Sequence, residues 1–457
     1  DYADYFGWDL ISDRISFHSI SPRGYVASTK EKYNIIVTGV PGGSSGGAAG
    51  VHALATSYDF TIEALEKYLS LLEPDGLLSI TFWTSTPARG NLRLFATAVE
   101  ALRRTGAEQP GNNIAWIRSW NTATLLIKNG ALSDADNKRI REFSTARAFD
   151  VAWLPDIKED EVNRYQLLQQ PIYHIAASSL LSSASKDFIG SYKYSIESVT
   201  DNNPYFNNSF KWSSLPELLG ISGRGGIALI DVGYPTLLFT LLQAIIAAIV
   251  LVLLPLAFVR RNKPSQLANR KNIVIYFLSI GLAFLFIEIA FIQKFTLILS
   301  QPLYAVAVTL CAFLIFSGLG SLYAQKKMMT PSANIMQRLL NRSIASIGII
   351  TVIYVFAFPA ITDAIMAMSE PARIATAILL AAPLAFAMGM PFPLGLTATR
   401  HNDPTLMPWA WGINGCASVL SAILAILLAI EIGFSGVMLS AILFYALAWI
   451  SQPVIKV

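Results

Sequence analysis

The strongest constraint on this chain is a succession of apolar runs, each long enough to cross a membrane, filling nearly everything after residue 233. A helical crossing needs about 20 consecutive apolar residues, and hydrocarbon offers no hydrogen-bond partner to an open backbone. Seven runs can be read, at about 234–259, 272–296, 302–324, 344–366, 372–396, 409–431 and 434–452. They nearly touch, so little soluble structure fits between them. The expected fold is therefore α/β plus all-α membrane: a soluble domain over 1–228, then a seven-helix bundle over 229–457 in contact with the lipid bilayer.

Charge is distributed accordingly. Only 14% of residues are charged, against about 25% in soluble domains, and most lie at or before Lys271. The net charge of +4 comes without a basic block, which argues against a nucleic-acid partner. Both cysteines, Cys311 and Cys416, sit in apolar runs, so no disulfide or thiolate metal site is expected in the soluble half. The histidines, His18, His52, His174 and His401, are scattered without ligand spacing, and no metal is expected.

Positive residues alternate between loops. Arg260, Arg261, Lys263, Arg270 and Lys271 follow the first run; Lys326, Lys327, Arg338 and Arg342 follow the third; Arg400 follows the fifth. The other loops carry almost nothing positive except Arg373. The basic loops belong in the cytoplasm. Seven crossings then put the C-terminus inside and the soluble domain outside.

Polar groups inside crossings are candidates for function. Glu288 stands out, and Asn414 lies beside Gly412 and Gly415. The asparagine can equally join two helices, since small neighbours let backbones approach. Lys294 can snorkel to the interface. Pro391 and Pro393 close the fifth run. Prolines at that spacing break a helix, either to line a transport site or simply to end a crossing.

In the soluble half, Tyr33–Thr38 reads as a buried parallel strand and 61–72 as a helix. Pro74–Gly76 reads as a turn into the strand Leu77–Thr81, and 92–104 as an amphipathic helix. Residues 114–120 and 122–128 read as a hairpin. Alternating strands and helices imply an α/β sheet. Between strand and helix lies the small-residue loop Gly39–Gly50, which matches neither GxGxxG nor a P-loop. Gly43 and Ser44 are its ligand-binding candidates, because glycine lets a backbone approach a ligand closely. A flexible loop without a ligand would look the same.

Several ordered stretches carry a resemblance. They are YDFTIEALEKYLSLLEPDGLLSIT, LRLFATAVEALRR, RSWNTATLLIK and TDNNPYFNNSFKW in the soluble half, and IEIAFIQKFTLILSQPLYAVAVTL, FSGLGS, GMPFPLGL and PWAWGINGCASVL in the membrane half. Together they resemble the membrane-bound spermidine-synthase-like proteins over nearly the whole chain. The resemblance implies a partial Rossmann or methyltransferase-like domain joined to a transporter-like bundle. It also implies a reaction in which two aspartates hold and deprotonate an amine that attacks a sulfonium. Those aspartates fall here on Gly39 and Gly42, which can neither hold a cation nor take a proton. The family's nucleoside-binding strands would precede this sequence. A cofactor of the S-adenosylmethionine type is therefore expected only if those strands are supplied by a protein partner or an upstream fragment. A half sheet would otherwise leave a strand edge unpaired. A domain facing away from the cytoplasm would also be remote from where that cofactor is made.

The segment 200–212 is rich in aromatic residues just before the first crossing. It is expected to be an interfacial anchor or a cleft rim, with Asp201 contributing an acid and Tyr205 beside it. The expectation as a whole is a non-catalytic, membrane-anchored accessory subunit, in a bacterial inner membrane by the family resemblance. The alternatives are an aminopropyl- or methyltransferase completed by another chain, and a small-molecule or polyamine transporter.

Overall fold

The computed structural model describes residues 16–18, 20–39, 54–216, 233–255, 267–328 and 333–453. After a short helix α1 (Pro22–Ser28), the β-branched run of β1 (Tyr33–Thr38) is followed by α2 (Ile62–Ser70), which leads into β2 (Leu72–Trp83). The side chain of Thr61 caps α2 by accepting from the amide of Ala64. Then come α3 (Gly90–Arg104), the hairpin β3 (Ile114–Arg118) and β4 (Thr122–Lys128), α4 (Asp134–Ala146), β5 (Asp150–Trp153), α5 (Ile172–Leu181) and α6 (Ser185–Ser191).

The sheet order is β1-β2-β4-β3-β5. Only β1 and β2 run parallel; the other three pairings are antiparallel. A doubly wound sheet is mostly parallel, so the described strands hold one βαβ unit extended by an antiparallel hairpin. Pro74–Gly76 also departs from expectation. It lies inside β2 as an irregularity, with Asp75 at φ +64°, and the register slips from Tyr33 opposite Leu72 to Ile35 opposite Leu77.

One sheet face is closed. Leu78, Ile80, Trp116, Leu125 and Ile127 pack there with the apolar sides of α2, α3 and α5. Among the described residues the other face is covered at its β5 end, where Ala115, Leu126 and Val151 meet Ile140 of α4. At the β1 end it is open: Ile35 is 61% and Val37 68% exposed. Tyr33–Thr38, expected as a buried strand, is thus an edge strand with one apolar face uncovered. Its sequence is apolar on both faces, the pattern of a strand covered on both.

The N-terminus of α4 carries a capping box between Ser133 and Asp136, and Lys128 reaches the same carboxylate at 2.9 Å. Lys128 and the Ser133 amide and hydroxyl hold the Asp136 carboxyl down, at about 2. A depressed folded value contributes stability that is complete above the unfolded value of about 4 and disappears as pH falls toward the folded one. Asp136→Asn is expected to cost about 0.5–1 kcal/mol near neutrality, the site being partly exposed. Denaturant titrations at pH 6 and pH 2 check it: the gap between variant and parent should close at the lower pH.

Among the described residues six helical segments are long and apolar enough to cross a membrane: Gly233–Leu253, Arg270–Leu299, Pro302–Lys327, Asn334–Met366, Glu370–Asn402 and Pro404–Ile450. Their helices are α7 (Gly233–Ala248), α8 (Leu267–Leu299), α9 (Pro302–Lys327), α10 (Ala333–Met366), α11 (Glu370–Met388), α12 (Pro391–Asn402) and α13 (Met407–Ile450). The core of the bundle is aromatic, with Phe291 packed edge-on against Phe295, Phe313 and Phe358. The break between α11 and α12 serves packing: a Cβ on Gly389 would lie 2.0 Å from the carbonyl oxygen of Ser317 in α9. The runs expected at 409–431 and 434–452 form one helix, α13, with a single non-helical residue inside it, Gly433 (φ 71°, ψ 170°).

Candidate functional site

A kink in a helix strands hydrogen-bonding groups on both sides of it. At Gly433 the soluble domain supplies the missing partners. The carbonyl of Asn202 accepts from the amide of Phe434 at 2.9 Å, and its side-chain oxygen accepts from the amide of Ser435 at 2.8 Å. The Asn203 side chain donates to the carbonyl of Ile430 at 2.9 Å. Two adjacent asparagines therefore cap both sides of the break. Glycine is required there twice over. Its φ is positive, and an added Cβ would lie 2.2 Å from the Asn202 side-chain nitrogen.

Buried cations hold the asparagines in place. Arg93 of α3 donates to the carbonyls of Tyr205 and Phe206 at 2.9 and 2.6 Å and to that of Ser195 at 2.7 Å. Arg23 of α1 pairs with Asp201 at 2.5 Å. Asp201 also accepts from the Thr61 hydroxyl at 2.6 Å, and its amide donates to Glu63 at 2.9 Å. Burial pushes the Asp201 carboxyl upward while Arg23 opposes it, and the net shift is upward. Further contacts join the two halves. Tyr58 donates to the carbonyl of Gln293 at 2.7 Å, Lys67 meets Asp363 at 3.3 Å, and Phe210 stacks on Tyr234 with centroids 4.7 Å apart.

Beside this junction lies a cleft of about 460 Å³ between α2 and the ends of α8 and α10. Its walls carry Glu63, Glu66, Lys67, Asp201, Lys294 and Asp363. Most of these are spoken for: Glu63 and Glu66 face Arg104 at 3.7 and 3.9 Å, and the other two acids have the partners above. Lys294 has no carboxylate within 4 Å among the described residues; its ammonium lies 5.3 Å from the centre of the Phe358 ring. It lines the cleft floor, where an anionic group of a small molecule would find it.

The residues singled out in the sequence do not converge. Asp201 lines the cleft, tied to Arg23. Tyr205 is buried against Phe434, centroids 5.9 Å apart, and does not line the cleft. Segment 200–212 thus anchors the domain on the bundle, ending with Trp212 donating to Glu431 at 3.3 Å. Asn414 donates to the carbonyl of Phe277 at 3.2 Å, joining α13 to α8. Glu288 is 8% exposed and has no hydrogen-bond or ion-pair partner among the described residues. Neither lines the cleft. Gly39 has open space where a side chain would be; Gly42, Gly43 and Ser44 lie outside the described residues. Among the described residues no group of three metal-ligating side chains forms. Asn202 and Asn203 were not legible as functional, because paired asparagines before a proline read as an ordinary turn.

Comparison with known protein families, with curated proteins and with solved structures finds no match for this chain.

Proposed function

We propose that this chain is an accessory subunit of a membrane complex: a soluble sheet that receives a second polypeptide and is fastened to a bundle embedded in the bilayer. The observation that carries the proposal is the open face and free edge of β1, where Ile35 and Val37 stand exposed. Among the described residues no strand pairs with that edge. Apolar edge strands of this kind are templates for another chain. The resemblance to the spermidine-synthase-like family supports the same reading. It puts the family's nucleoside-binding strands beside this edge, and it puts glycines where the catalytic aspartates would stand. The subunit is thus non-catalytic by itself.

In the bilayer we take α13 as two crossings divided at Gly433, which makes seven. The soluble domain then lies on the side away from the basic loops, outside the cytoplasmic face of a bacterial inner membrane. The partner is a polypeptide offering a β-strand and an apolar helix face.

Purification from native membranes followed by mass spectrometry of the intact assembly tests this. The expected result is a stoichiometric second polypeptide, at least tenfold depleted from an Ile35→Asp/Val37→Asp variant. A wild-type chain recovered alone and folded, with the variant behaving identically, overturns the proposal. A partner that brings an acidic pair to Gly39 would instead favour a transferase completed in trans.

A further inference from the structure

Arg373, in the first turn of α11, is the positive residue beside loops that otherwise lack them, and it lines a second pocket. This pocket, of about 370 Å³, is lined by His18, Ser21, Ser300, Gln301, Glu370 and Arg373, with Ile20 and Leu299. The residue is only 6% exposed. One guanidinium nitrogen, Nη1, donates to the carbonyl of Ile298 at 3.2 Å and to the Ser300 hydroxyl at 3.3 Å. The Nε is buried without a partner, and Nη2 has none among the described residues. Among the described residues no carboxylate comes within 4 Å of the group, Glu370 one turn earlier included. A buried cation without a counter-ion is costly.

Nε is closed off from the pocket, which leaves Nη2 as the guanidinium donor open to an oxyanion. Ser300 adds a donor, since its oxygen accepts from Ser21 at 2.7 Å and from Arg373, leaving its own proton to give. Two long helices, α9 and α11, begin at this pocket, and neither has a side-chain cap at its first turn. Their dipoles add positive potential at the same point. Ser300 itself sits at φ +64°, a conformation disfavoured for serine and typical of positions held for a purpose.

We infer that the Arg373 pocket binds a phosphate-type oxyanion at the end of the bundle, held by Nη2 of Arg373 and by the Ser300 hydroxyl. Its place where three bundle helices end is reachable both by the headgroup of a phospholipid and by free phosphate.

Two arms separate the sources. Native mass spectrometry of the full chain released from bilayers containing phosphatidylglycerol should show one retained lipid, and Arg373→Gln should lower its occupancy at least tenfold. Calorimetry of the delipidated chain with inorganic phosphate should show binding that is weakened in Arg373→Gln if the source is free phosphate. Arg373→Gln also loses the bond to Ile298, so two milder variants guard against misfolding. Ser300→Gly suits the positive φ and should weaken binding a few fold. Glu370→Gln removes the nearby negative charge and should tighten it. Binding of both probes unchanged across all three folded variants overturns the inference. So does the absence of any retained lipid together with the absence of phosphate binding.

Discussion

Gly433→Ala is expected to detach the soluble domain from the last membrane helix. A side chain forced to φ 71° costs about 1–3 kcal/mol. Displacing Asn202 from the Phe434 and Ser435 amides costs a further 0.5–2 kcal/mol or so, as for other lost caps. The sum is a large fraction of the stability of any domain. Limited proteolysis of the detergent-solubilised chain reads the effect, because a released 200–212 segment becomes cleavable. Asn202→Ala should give a smaller loss of the same kind. The double variant should be little worse than Gly433→Ala alone, since both changes break one contact. Full additivity, or a Gly433→Ala chain as protease-resistant as the parent, would remove the junction from any account of how the halves communicate.

Arg93→Met should be the most damaging change within the soluble domain. The methionine fits the buried stem but leaves the carbonyls of Ser195, Tyr205 and Phe206 without their donor. Leaving a buried acceptor without its partner costs about 1–3 kcal/mol for each group. Arg93→Lys should recover only part of it, because one ammonium cannot span carbonyls that a planar fork reaches together. Hydrogen exchange gives a sharper readout than melting. Protection should fall in 195–206 and also at the amides of Phe434 and Ser435, far along the chain. Unchanged exchange at those two amides in a folded Arg93→Met variant would show that the cap does not depend on Arg93.

The elements with strong periodicity were legible: β1, α2, α3, the β3–β4 hairpin and the apolar segments fall where their residue patterns put them. What escaped were features set by distant partners. Pro74–Gly76 reads as a turn, yet the register of β1 absorbs it into β2. Gly433 reads as a linker between two crossings because nothing nearby can cap a break there; its caps come from Asn202 and Asn203, more than two hundred residues earlier. The burial of β1 escapes for the opposite reason. Its apolar pattern asks for two covered faces, and the described residues cover one. Lys294 can snorkel by its place in the run; that it shares a cleft with α2 is set by residues far away in the chain.

The caps at Gly433 also set an order of events during synthesis. Domains emerge from the ribosome and fold from the N-terminus onward, so the loop bearing Asn202 and Asn203 exists long before the final helix is made. The last stretch of the chain takes its bent form against a surface already in place at Asn202, 233 residues upstream of Ser435. A newly made tail whose soluble domain has failed to fold meets no such surface, and the amides of Phe434 and Ser435 are left without those acceptors.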